Sequence, residues 1–374
     1  MRENWTYKKL GEVATFKRGL TYSGKDEVSF SENVVLRSNN IDLETNTLNL
    51  DELKYISSDI CIPEDKKLTA NSIFMCMSNG SKQHLGKVAF IDQNMSYAFG
   101  GFMGLIIPEK EKIYPKYLYF YFCSPQFKDI LSSIGNGANI NNIKFVDIAK
   151  YSIKTPPLSE QQSIVVELDK INELISLKKA QLKDLDALAQ SIFYDMFGDP
   201  IENEKGWEVK KLGEACLLKA GKAIKASDLV EKTNNTFPCY GGNGIRGYID
   251  RFSHKMDLPI IGRQGALCGN VNFAKSPFYA TEHAVVVKPL LKLDVVWLYY
   301  VLKGLRLENY AHGVAQPGIS VGDLNPISLP LPPLSLQQEF AKRIELIEQQ
   351  KTQISSTIKD LETLLASRMQ YWFD

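Results

Sequence analysis

Two long segments, residues 159–197 and 335–374, carry apolar residues at alternating steps of four and three positions. The stepped positions are Ile164, Leu168, Ile171, Ile175, Lys178, Leu182, Leu185, Ala189, Ile192 and Met196 in the first, and Phe340, Ile344, Ile347, Lys351, Ile354, Ile358, Leu361, Leu365, Arg368 and Trp372 in the second. Only three of these positions are polar. A 3.5-residue repeat over about five heptads is typical of coiled-coil helices. The pattern therefore predicts two helices, each about 58 Å long at ~1.5 Å per residue.

The two segments also match each other at an offset of 176 residues, which aligns the Lys-Asp-Leu of 183–185 with that of 359–361. Each follows a Pro-Pro pair and opens with Ser-x-x-Gln, at Ser159 and Ser335, which predicts a capping box at the helix start. An amphipathic helix lying on its own domain is the alternative for either segment alone. Because two similar helices carry matching seams, we expect them to pack together, most simply antiparallel.

The rest of the chain is repeated as well. WTYKKLGEVATFKRG at 5–19 recurs as WEVKKLGEACLLKAG at 207–221, at an offset of 202, and PPLSEQQ at 156–162 recurs as PPLSLQQ at 332–338, at the offset of 176. The change of offset means that the first copy holds 26 more residues between its matching ends. We predict five segments: a first domain at 1–158, a central helix at 159–197, a linker at 198–206, a second domain at 207–334 and a C-terminal helix at 335–374.

The composition is that of an ordinary globular protein. Of the 374 residues, 44% are hydrophobic and 23% charged, which argues against disorder. No stretch approaches 18 apolar residues, and the N-terminus has no apolar signal region, so we expect a cytoplasmic protein with no membrane partner. The six cysteines lie far apart without metal-ligand spacing and are interpreted as reduced core thiols.

The net charge of +1 conceals a separation of charge along the chain. Residues 1–158 sum to +2 and 207–334 to +5, whereas the helical segments 159–197 and 335–374 sum to −3 and −1. Basic domains and acidic helices are the expected pattern if the domains meet phosphate and the helices do not. A solvated surface with this charge distribution by chance is the alternative.

Motifs for catalysis fail on inspection. Gly242–Gly247 fits G-x-G-x-x-G, which in a nucleotide site follows a hydrophobic strand and opens a helix. Here Phe-Pro-Cys-Tyr precedes it and a short strand-like run follows it, so we interpret it as a Gly-rich hairpin or loop. Asn325–Ser328 lacks the second proline and the aromatic of a base-methylating motif. Glu282 beside His283 is the nearest approach to an acid–base pair, although a hydrogen-bonded histidine at a strand start is the simpler reading. The residues therefore give no support for chemistry by this chain alone.

The chain resembles the specificity (S) subunit of type I restriction-modification systems over essentially its whole length. The resemblance rests on the paired WxxKKLGE openings, on GNGANINNIKFVDIAKYSIKTPPLSEQQ and GVAQPGISVGDLNPISLPLPPLSLQQEF before the two helices, and on IGRQGALCGNVNFAKSPFYATEHAVVV at 261–287. It implies an α+β protein: two α/β target-recognition domains joined by two long antiparallel coiled-coil helices, with an internal pseudo-twofold repeat. Each domain would read one half of a split, asymmetric site in double-stranded DNA, and the helices would set the spacing.

The resemblance also implies partners. Methyltransferase (M) subunits would dock on the helices and methylate adenine, and restriction/translocase (R) subunits would join to cut. S-adenosylmethionine, ATP and Mg are then expected on the partner subunits, with no cofactor bound by this chain. The first copy departs from the family pattern, because Met77–Gly80 stands where Gly262–Gly265 does and AFGGFMG replaces ATEHA.

Polar residues in Gly-rich or loop segments are the candidate DNA contacts, because backbone can approach DNA closely there. They are Arg37, Lys82, Gln83, Asn139, Asn141 and Lys144 in the first domain, and Arg246, Arg263, Lys275, Gln316 and Ser320 in the second. For each, a solvated charge or a turn-stabilising side chain is the alternative. For the whole chain, the alternatives are a non-catalytic coiled-coil scaffold that binds only protein, and a fragment of a fused methyltransferase–nuclease.

Overall fold

A computed structural model describes residues 5–134, 142–313 and 317–374. The chain forms two compact units, one of Met1–Lys178 with Thr357–Asp374 and the other of Lys179–Ser356. The division crosses both long helices, so each unit contains the start of one helix and the end of the other. The segment boundaries given by the sequence, which assign each helix to a segment of its own, stay a prediction.

The first unit contains short strands and helices followed by the start of a long helix. Its elements are β1 (Thr6–Lys9), α1 (Leu10–Val13), β2 (Ala14–Arg18), β3 (Glu27–Val28), β4 (Asn33–Leu36), β5 (Lys54–Ile56), β6 (Ser72–Cys76), β7 (Val88–Ile91), β8 (Ala98–Phe99), β9 (Met103–Pro108), α2 (Pro115–Cys123), α3 (Pro125–Ile134), α4 (Phe145–Ile148), β10 (Ser152–Thr155) and α5 (Leu158–Phe197). Strands β2-β9-β6-β7 form an antiparallel sheet, and β3-β5-β4-β8 form a second sheet in which β4 and β8 are parallel. Strand β1 pairs with β10.

The second unit repeats this plan. Its elements are β11 (Glu208–Lys211), α6 (Leu212–Ala215), β12 (Cys216–Ala220), β13 (Phe237–Gly241), β14 (Gly244–Ile249), β15 (Leu258–Gly262), β16 (Val271–Ala274), β17 (Tyr279–Ala280), β18 (Ala284–Pro289), α7 (Val295–Gly304), α8 (Val321–Leu324), β19 (Ser328–Leu331) and α9 (Leu334–Phe373). The sheet β12-β18-β15-β16 corresponds to the first antiparallel sheet, β14-β13-β17 to the second, and β11 pairs with β19. The internal repeat is therefore a repeat of topology as well as of sequence.

Most of the 26-residue difference between the copies lies at one place. Strands β4 and β6 begin 39 residues apart, whereas the corresponding β13 and β15 begin 21 residues apart. In the second unit β13 and β14 form a hairpin closed by Gly242 and Asn243, which confirms the hairpin interpretation of the G-x-G-x-x-G motif. The first unit replaces that tight turn by the longer connection 37–53.

The repeated KKLGE motif builds the same short helix twice. The backbone N–H of Lys9 donates to the Glu12 carboxylate at 3.0 Å, and that of Lys211 donates to Glu214 at 3.2 Å. A carboxylate in the first turn is favourable because it satisfies a free N–H group at the positive end of the helix. The leucine of each motif is fully buried.

The cores of the units join sheet and long helices. In the first, Leu10, Tyr117 and Leu168 belong to one buried cluster that also contains Phe373 of α9. In the second, the ring of Phe340 in α9 lies 5.7 Å from Phe193 and 5.4 Å from Phe197, both in α5. Since both helices contribute to each core, their mutual packing is part of the fold of each unit.

Most of the buried residues in the two helices lie at the predicted seam positions. In the last turns of each helix the buried positions move by one residue. The buried residues in the last turns of α5 and α9 are Phe193, Phe197, Met369 and Phe373, each one position after the seam residue that the heptads predict. A straight helix has 3.6 residues per turn and drifts about 20° per heptad against a 3.5 repeat. Over five heptads the drift equals one residue, so the predicted seam is wrong only in those last turns.

The two polar residues in the seam of α9, Lys351 and Arg368, form ion pairs with residues of α5. In the second unit Lys351 Nζ lies 2.7 Å from Asp186 in α5. In the first unit Arg368 forms a two-pronged pair with Glu167 of α5. Early residues of α5 thus meet late residues of α9 and the reverse, which confirms the antiparallel packing.

Each long helix begins with a buried glutamine instead of the expected serine cap. Helices α5 and α9 begin at Leu158 and Leu334, so the serines lie inside the first turn and the capping-box prediction is wrong. Gln161 accepts a hydrogen bond from the Tyr114 N–H at 2.8 Å and donates to the Pro156 carbonyl at 2.7 Å. Gln337 does the same with Asp294 and Pro332. The first glutamine of each Gln-Gln pair therefore ties the helix start to the chain before α2 or α7.

Four of the six cysteines are buried, as expected of core thiols, but Cys61 is exposed and Cys123 is partly exposed. Burial raises the pKa of the Cys216 thiol to about 12, so that group stays protonated at neutral pH. Within the described part of the chain, every helix is too short or too polar to span a bilayer.

Candidate functional site

In the second unit, three strands end around one turn. The ends of β12, β13 and β15 pair with residues that flank the turn Thr281–Ala284, in which the Ala284 N–H donates to the Thr281 carbonyl at 3.0 Å. A cleft of about 450 Å³ opens beside this turn, and its lining is Gly241, Gly242, Asn243, Gly244, Ile245, Arg246, Gln264, Gly265 and His283. Three loops far apart in sequence therefore share one concave surface.

Backbone bonds fix the loops around this cleft. The Arg263 N–H donates to the His283 carbonyl at 2.9 Å, and the Ile319 N–H donates to the Arg263 carbonyl at 2.9 Å. Gly221 must be glycine, because a Cβ there would lie 2.0 Å from the Ala280 carbonyl oxygen. The close approach of strand and turn places the loop ends before any ligand binds.

Side chains in the lining give this cleft hydrogen-bonding capacity, among them Arg246, Gln264 and His283. Arg246 lies on β14 and Gln264 follows β15, and both are exposed. His283 Nε2 lies 3.1 Å from a Glu282 carboxylate oxygen. A guanidinium donates, an amide donates and accepts, and an imidazole can do either, so the cleft offers a ligand both donors and acceptors.

The structure gives two of the predicted contacts a role inside the protein. Arg263 directs Nε to the Ile319 carbonyl at 3.4 Å and Nη1 to the Glu282 carbonyl at 3.3 Å, so it links two loops. Ser320 caps α8, since its hydroxyl donates to Asp323 at 2.7 Å and accepts from the Asp323 N–H. Their assignment as DNA contacts stays a prediction, and each has lost part of its capacity to these internal bonds.

Lys275 lies away from the cleft. It follows β16, whose last residue Ala274 pairs with Leu258 at the start of β15, and the cleft is at the other end of that strand. Its ammonium lies 3.2 Å from Asp257 and 4.8 Å from the centre of the Phe273 ring. The structure therefore does not bring Lys275 together with Arg246.

The first unit has a corresponding site. Strands β2, β4 and β6 end around the turn Gly100–Met103, and the Met77 N–H donates to the Phe102 carbonyl at 2.9 Å. A smaller cleft of about 130 Å³ opens there, and its lining is Arg18, Met77, Ser78, Gly101, Phe102, Met103, Asn142, Ile143 and Phe145. The shared topology allows the two sites to be compared residue by residue.

That comparison corrects the alignment made from sequence. Cys76 pairs with Met103 as Gly262 pairs with Ala284, so Cys76 corresponds to Gly262. Met77 therefore stands at the position of Arg263, one residue away from the alignment given by the sequence. By the same register, Phe102 stands at the position of His283.

The remaining predicted residues of the first unit lie in loops at this end of the sheet. Arg37 follows β4 and reaches to within 4.0 Å of Glu27. Gln83 is exposed on the short helical turn Lys82–His84, and Lys144 is exposed just before α4. The predicted contacts Asn139, Asn141 and Gln316 lie outside the described residues, and so does the side chain of Lys82.

Comparison with known proteins places the fold in a family. A profile described as the type I restriction modification DNA specificity domain matches residues 2–187 and again 204–363. The chain belongs to this specificity family. The two matches coincide with the two copies of the repeat.

Individual members of the family show how far the similarity extends. The EcoprrI specificity subunit of Escherichia coli is 39% identical over 186 residues, which are 48% of this chain and 46% of that protein. The chain thus spans less than half the length of that relative. The putative MjaX specificity subunit of Methanocaldococcus jannaschii is 25% identical over 97% of this chain and 93% of its own length.

Solved structures share the whole fold. The S subunit of a type I restriction-modification system from M. genitalium aligns with a TM-score of 0.57 at 17% identity and covers 100% of this chain and 97% of its own. A structure described as the basis of complex assembly and conformational transition of the type I R-M system aligns with a TM-score of 0.60 at 19% identity, over 99% and 97%. At these identities the likeness is one of fold, and it confirms the two sheet-bearing domains on two long helices.

Arg18, Phe102, Gln264 and His283 are among the residues that line the clefts and that the sequence did not predict as DNA contacts. Gln264 is adjacent to the residue that was chosen, Arg263, and side-chain direction in a loop has no signature in a single sequence. The repeat did hold a signal for His283 and Phe102, because both stand three residues after a strand at the same place in their copies.

Proposed function

We propose that this chain is the DNA-reading specificity subunit of a type I restriction-modification complex and that each unit reads one half of a bipartite, asymmetric site. One observation carries the proposal. The same arrangement of three strand ends around a turn occurs in both units, with different side chains on it. A duplicated frame with unlike side chains is what two unlike half-sites require.

The charge and the chemistry of the second cleft agree with this role. Arginine and glutamine form paired hydrogen bonds with guanine and adenine edges, respectively, in the major groove. Arg246 and Gln264 supply these groups in the lining of the cleft, and the 207–334 segment carries a net charge of +5 that favours the phosphate backbone. We propose Arg37, Gln83 and Lys144 as contacts of the first half-site on the same reasoning, because they lie in loops at the corresponding sheet end.

The helices present surfaces for partners. In the first unit Val166, Leu174 and Leu177 are 53%, 47% and 59% exposed, and their spacing of eight and three residues places them on one face of α5. Exposed apolar stripes on a helix are typical of docking surfaces. We propose that M subunits dock there and that R subunits join the complex. Methylation with S-adenosylmethionine and cleavage with ATP and Mg would then be carried out by those partners in the cytoplasm, without an active site in this chain.

The test is methylome sequencing of cells that express the chain with its M subunit. We expect one split adenine-methylated motif, whose second half alone changes in the variants Gln264→Ala and His283→Ala. Lys275→Ala, which lies away from the cleft, is the control and should leave the motif intact. Methylation without a motif, or co-purification of partners without any preference among DNA sequences, would instead support a protein-binding scaffold.

The spacing role has a separate test. Because α5 and α9 pack against each other, a heptad should be inserted into both helices together to keep their seams in register. We expect the gap between the methylated half-sites to lengthen while the half-sites stay the same. An unchanged gap in a folded, active variant would remove the helices from the spacing mechanism.

A further inference from the structure

Phe102 is a large apolar side chain held in the open. It occupies the third position of the turn Gly100–Met103 and is 74% exposed. Among the described residues, no aromatic ring packs against it at the distances seen for other ring pairs. A phenylalanine left in water forgoes the favourable free energy of burial, so the exposed ring does not stabilise the folded protein.

The backbone fixes this position firmly. The Phe102 carbonyl accepts hydrogen bonds from the N–H groups of both Met77 and Ser78, at 2.9 and 3.1 Å, and the Met103 N–H closes the turn on Gly100 at 2.8 Å. Gly19 allows the end of β2 to approach, because a Cβ there would lie 2.0 Å from the Gly100 carbonyl oxygen. The exposed ring is therefore presented from a braced turn.

The surroundings of Phe102 are those of a nucleic-acid contact. Arg18, Ser78 and Asn142 line the same cleft, so a cation and two polar side chains flank the ring. In the second unit the corresponding position is His283, in the cleft with Arg246 and Gln264. Two of the three backbone hydrogen bonds recur there, from the Arg263 N–H to the His283 carbonyl and from the Ala284 N–H to the Thr281 carbonyl. An equivalent place in the two units thus offers an apolar group in one and a hydrogen-bonding group in the other.

We propose that Phe102 recognises a thymine in the first half-site through the thymine 5-methyl group in the major groove. Apolar contact is the way in which proteins distinguish this methyl, and only thymine carries one among the four bases. This inference rests on the proposed function of the chain. It adds that the two half-sites are read by different chemistry at equivalent positions.

The test uses the full chain with its M subunit and duplexes that carry the methylated motif. A series of duplexes is made in which one thymine of the first half-site at a time is replaced by uracil, which removes only the 5-methyl group. We expect one replacement to weaken binding by the unaltered protein about fourfold, the equivalent of one buried methyl group. Phe102→Ala should bind the thymine duplex more weakly and should no longer distinguish thymine from uracil.

Phe30→Ala is the matched control, because Phe30 is a 78% exposed phenylalanine of the same unit that lies against Tyr55. It should retain both affinity and discrimination. Circular dichroism melting of Phe102→Ala should match the unaltered protein, since the side chain is exposed, and a match assigns any loss of affinity to the contact.

The outcomes separate the inference from the function on which it rests. If the unaltered protein does not prefer its motif over shuffled DNA, the proposed function fails. If it prefers its motif but ignores every uracil replacement, or if Phe102→Ala still distinguishes thymine from uracil, only the methyl contact is overturned. If Phe102→Ala lost the same factor of affinity on the thymine and the uracil duplexes, the ring would act by inserting between base pairs, and the methyl contact would also be overturned.

Discussion

The buried glutamine at the start of α9 should be worth far more to stability than its neighbour of the same type. Gln337 is 1% exposed, and its side-chain amide makes two hydrogen bonds, one from the Asp294 N–H at 2.9 Å and one to the Pro332 carbonyl at 2.8 Å. Gln338 follows it in sequence and is exposed. The pair therefore allows a comparison of buried and exposed glutamine at one helix start.

The magnitude follows from the two backbone groups that lose a partner. Leaving a buried donor or acceptor unsatisfied costs about 1 to 3 kcal/mol each. Water entering the space left by Gln337→Ala would recover part of this, so we expect a net loss of about 2 to 4 kcal/mol in the free energy of unfolding. Gln338→Ala should change it by less than about 0.5 kcal/mol, as for most surface substitutions.

Urea unfolding followed by tryptophan fluorescence measures the difference. Trp297 is fully buried three residues after Asp294, in the helix that this glutamine supports, so its emission reports on the affected unit. Gln161→Ala and Gln162→Ala provide the same comparison in the first unit, where Gln161 is 0% exposed. An equal loss of unfolding free energy from the buried and the exposed glutamine, or a larger loss from the exposed one, would refute the reasoning. A larger loss from the exposed glutamine would favour the capping box, in which that residue is the partner of the serine.

Three further outcomes are expected from single contacts. Phe340→Ala should lower the free energy of unfolding by about 3 to 5 kcal/mol in urea titrations, because the ring is fully buried among other rings. Gly221→Ala should cost at least about 2 kcal/mol in the same assay, whereas Gly24→Ala, with open space around it, should be nearly neutral. The hydrogen bond from Arg368 lowers the pKa of Glu167, so its stabilising effect is present above the ordinary carboxyl range and is lost as the pH falls through the lowered pKa. We expect the free energy of unfolding of the unaltered protein to show this loss between pH 7 and pH 3, and that of Glu167→Gln not to show it. The loss should be below about 1 kcal/mol, because both side chains of the pair are about a third exposed.

The helices were predictable because their periodicity is long and depends on local geometry. The seam from Ile164 onward identifies both helices, and the repeat makes their association the simplest arrangement. The predicted seam is wrong at Phe193 and Phe197. The drift of a straight helix has accumulated there, and both rings pack against aromatic rings of α7 and α9. These partners lie 100 or more residues away in sequence, so the local periodicity of the helix carries no information about them.

The loops were less predictable because a single sequence does not state which way a loop residue points. The prediction chose Arg263 for its charge in a Gly-rich loop, yet its guanidinium turns inward to two backbone carbonyls. The adjacent Gln264 lines the cleft instead. Arg246, also predicted as a DNA contact, does line the cleft, and its contact with DNA stays a prediction.

Comparison of the two copies separates the frame from the reading surface. The positions that hold the frame have kept the same residue: a glycine where the first long strand nears the turn, a leucine and a glutamate in the short first helix, and a buried glutamine at the start of each long helix. The positions at the clefts have not, since Phe102 in the first copy corresponds to His283 in the second, and Met77 corresponds to Arg263. A requirement for packing acts equally on both copies, because each must fold in the same way. A requirement for reading acts on them differently if the two halves of the DNA site differ. The contrast between identical residues in the frame and unlike residues at the clefts therefore supports the proposal that the two units read different DNA sequences.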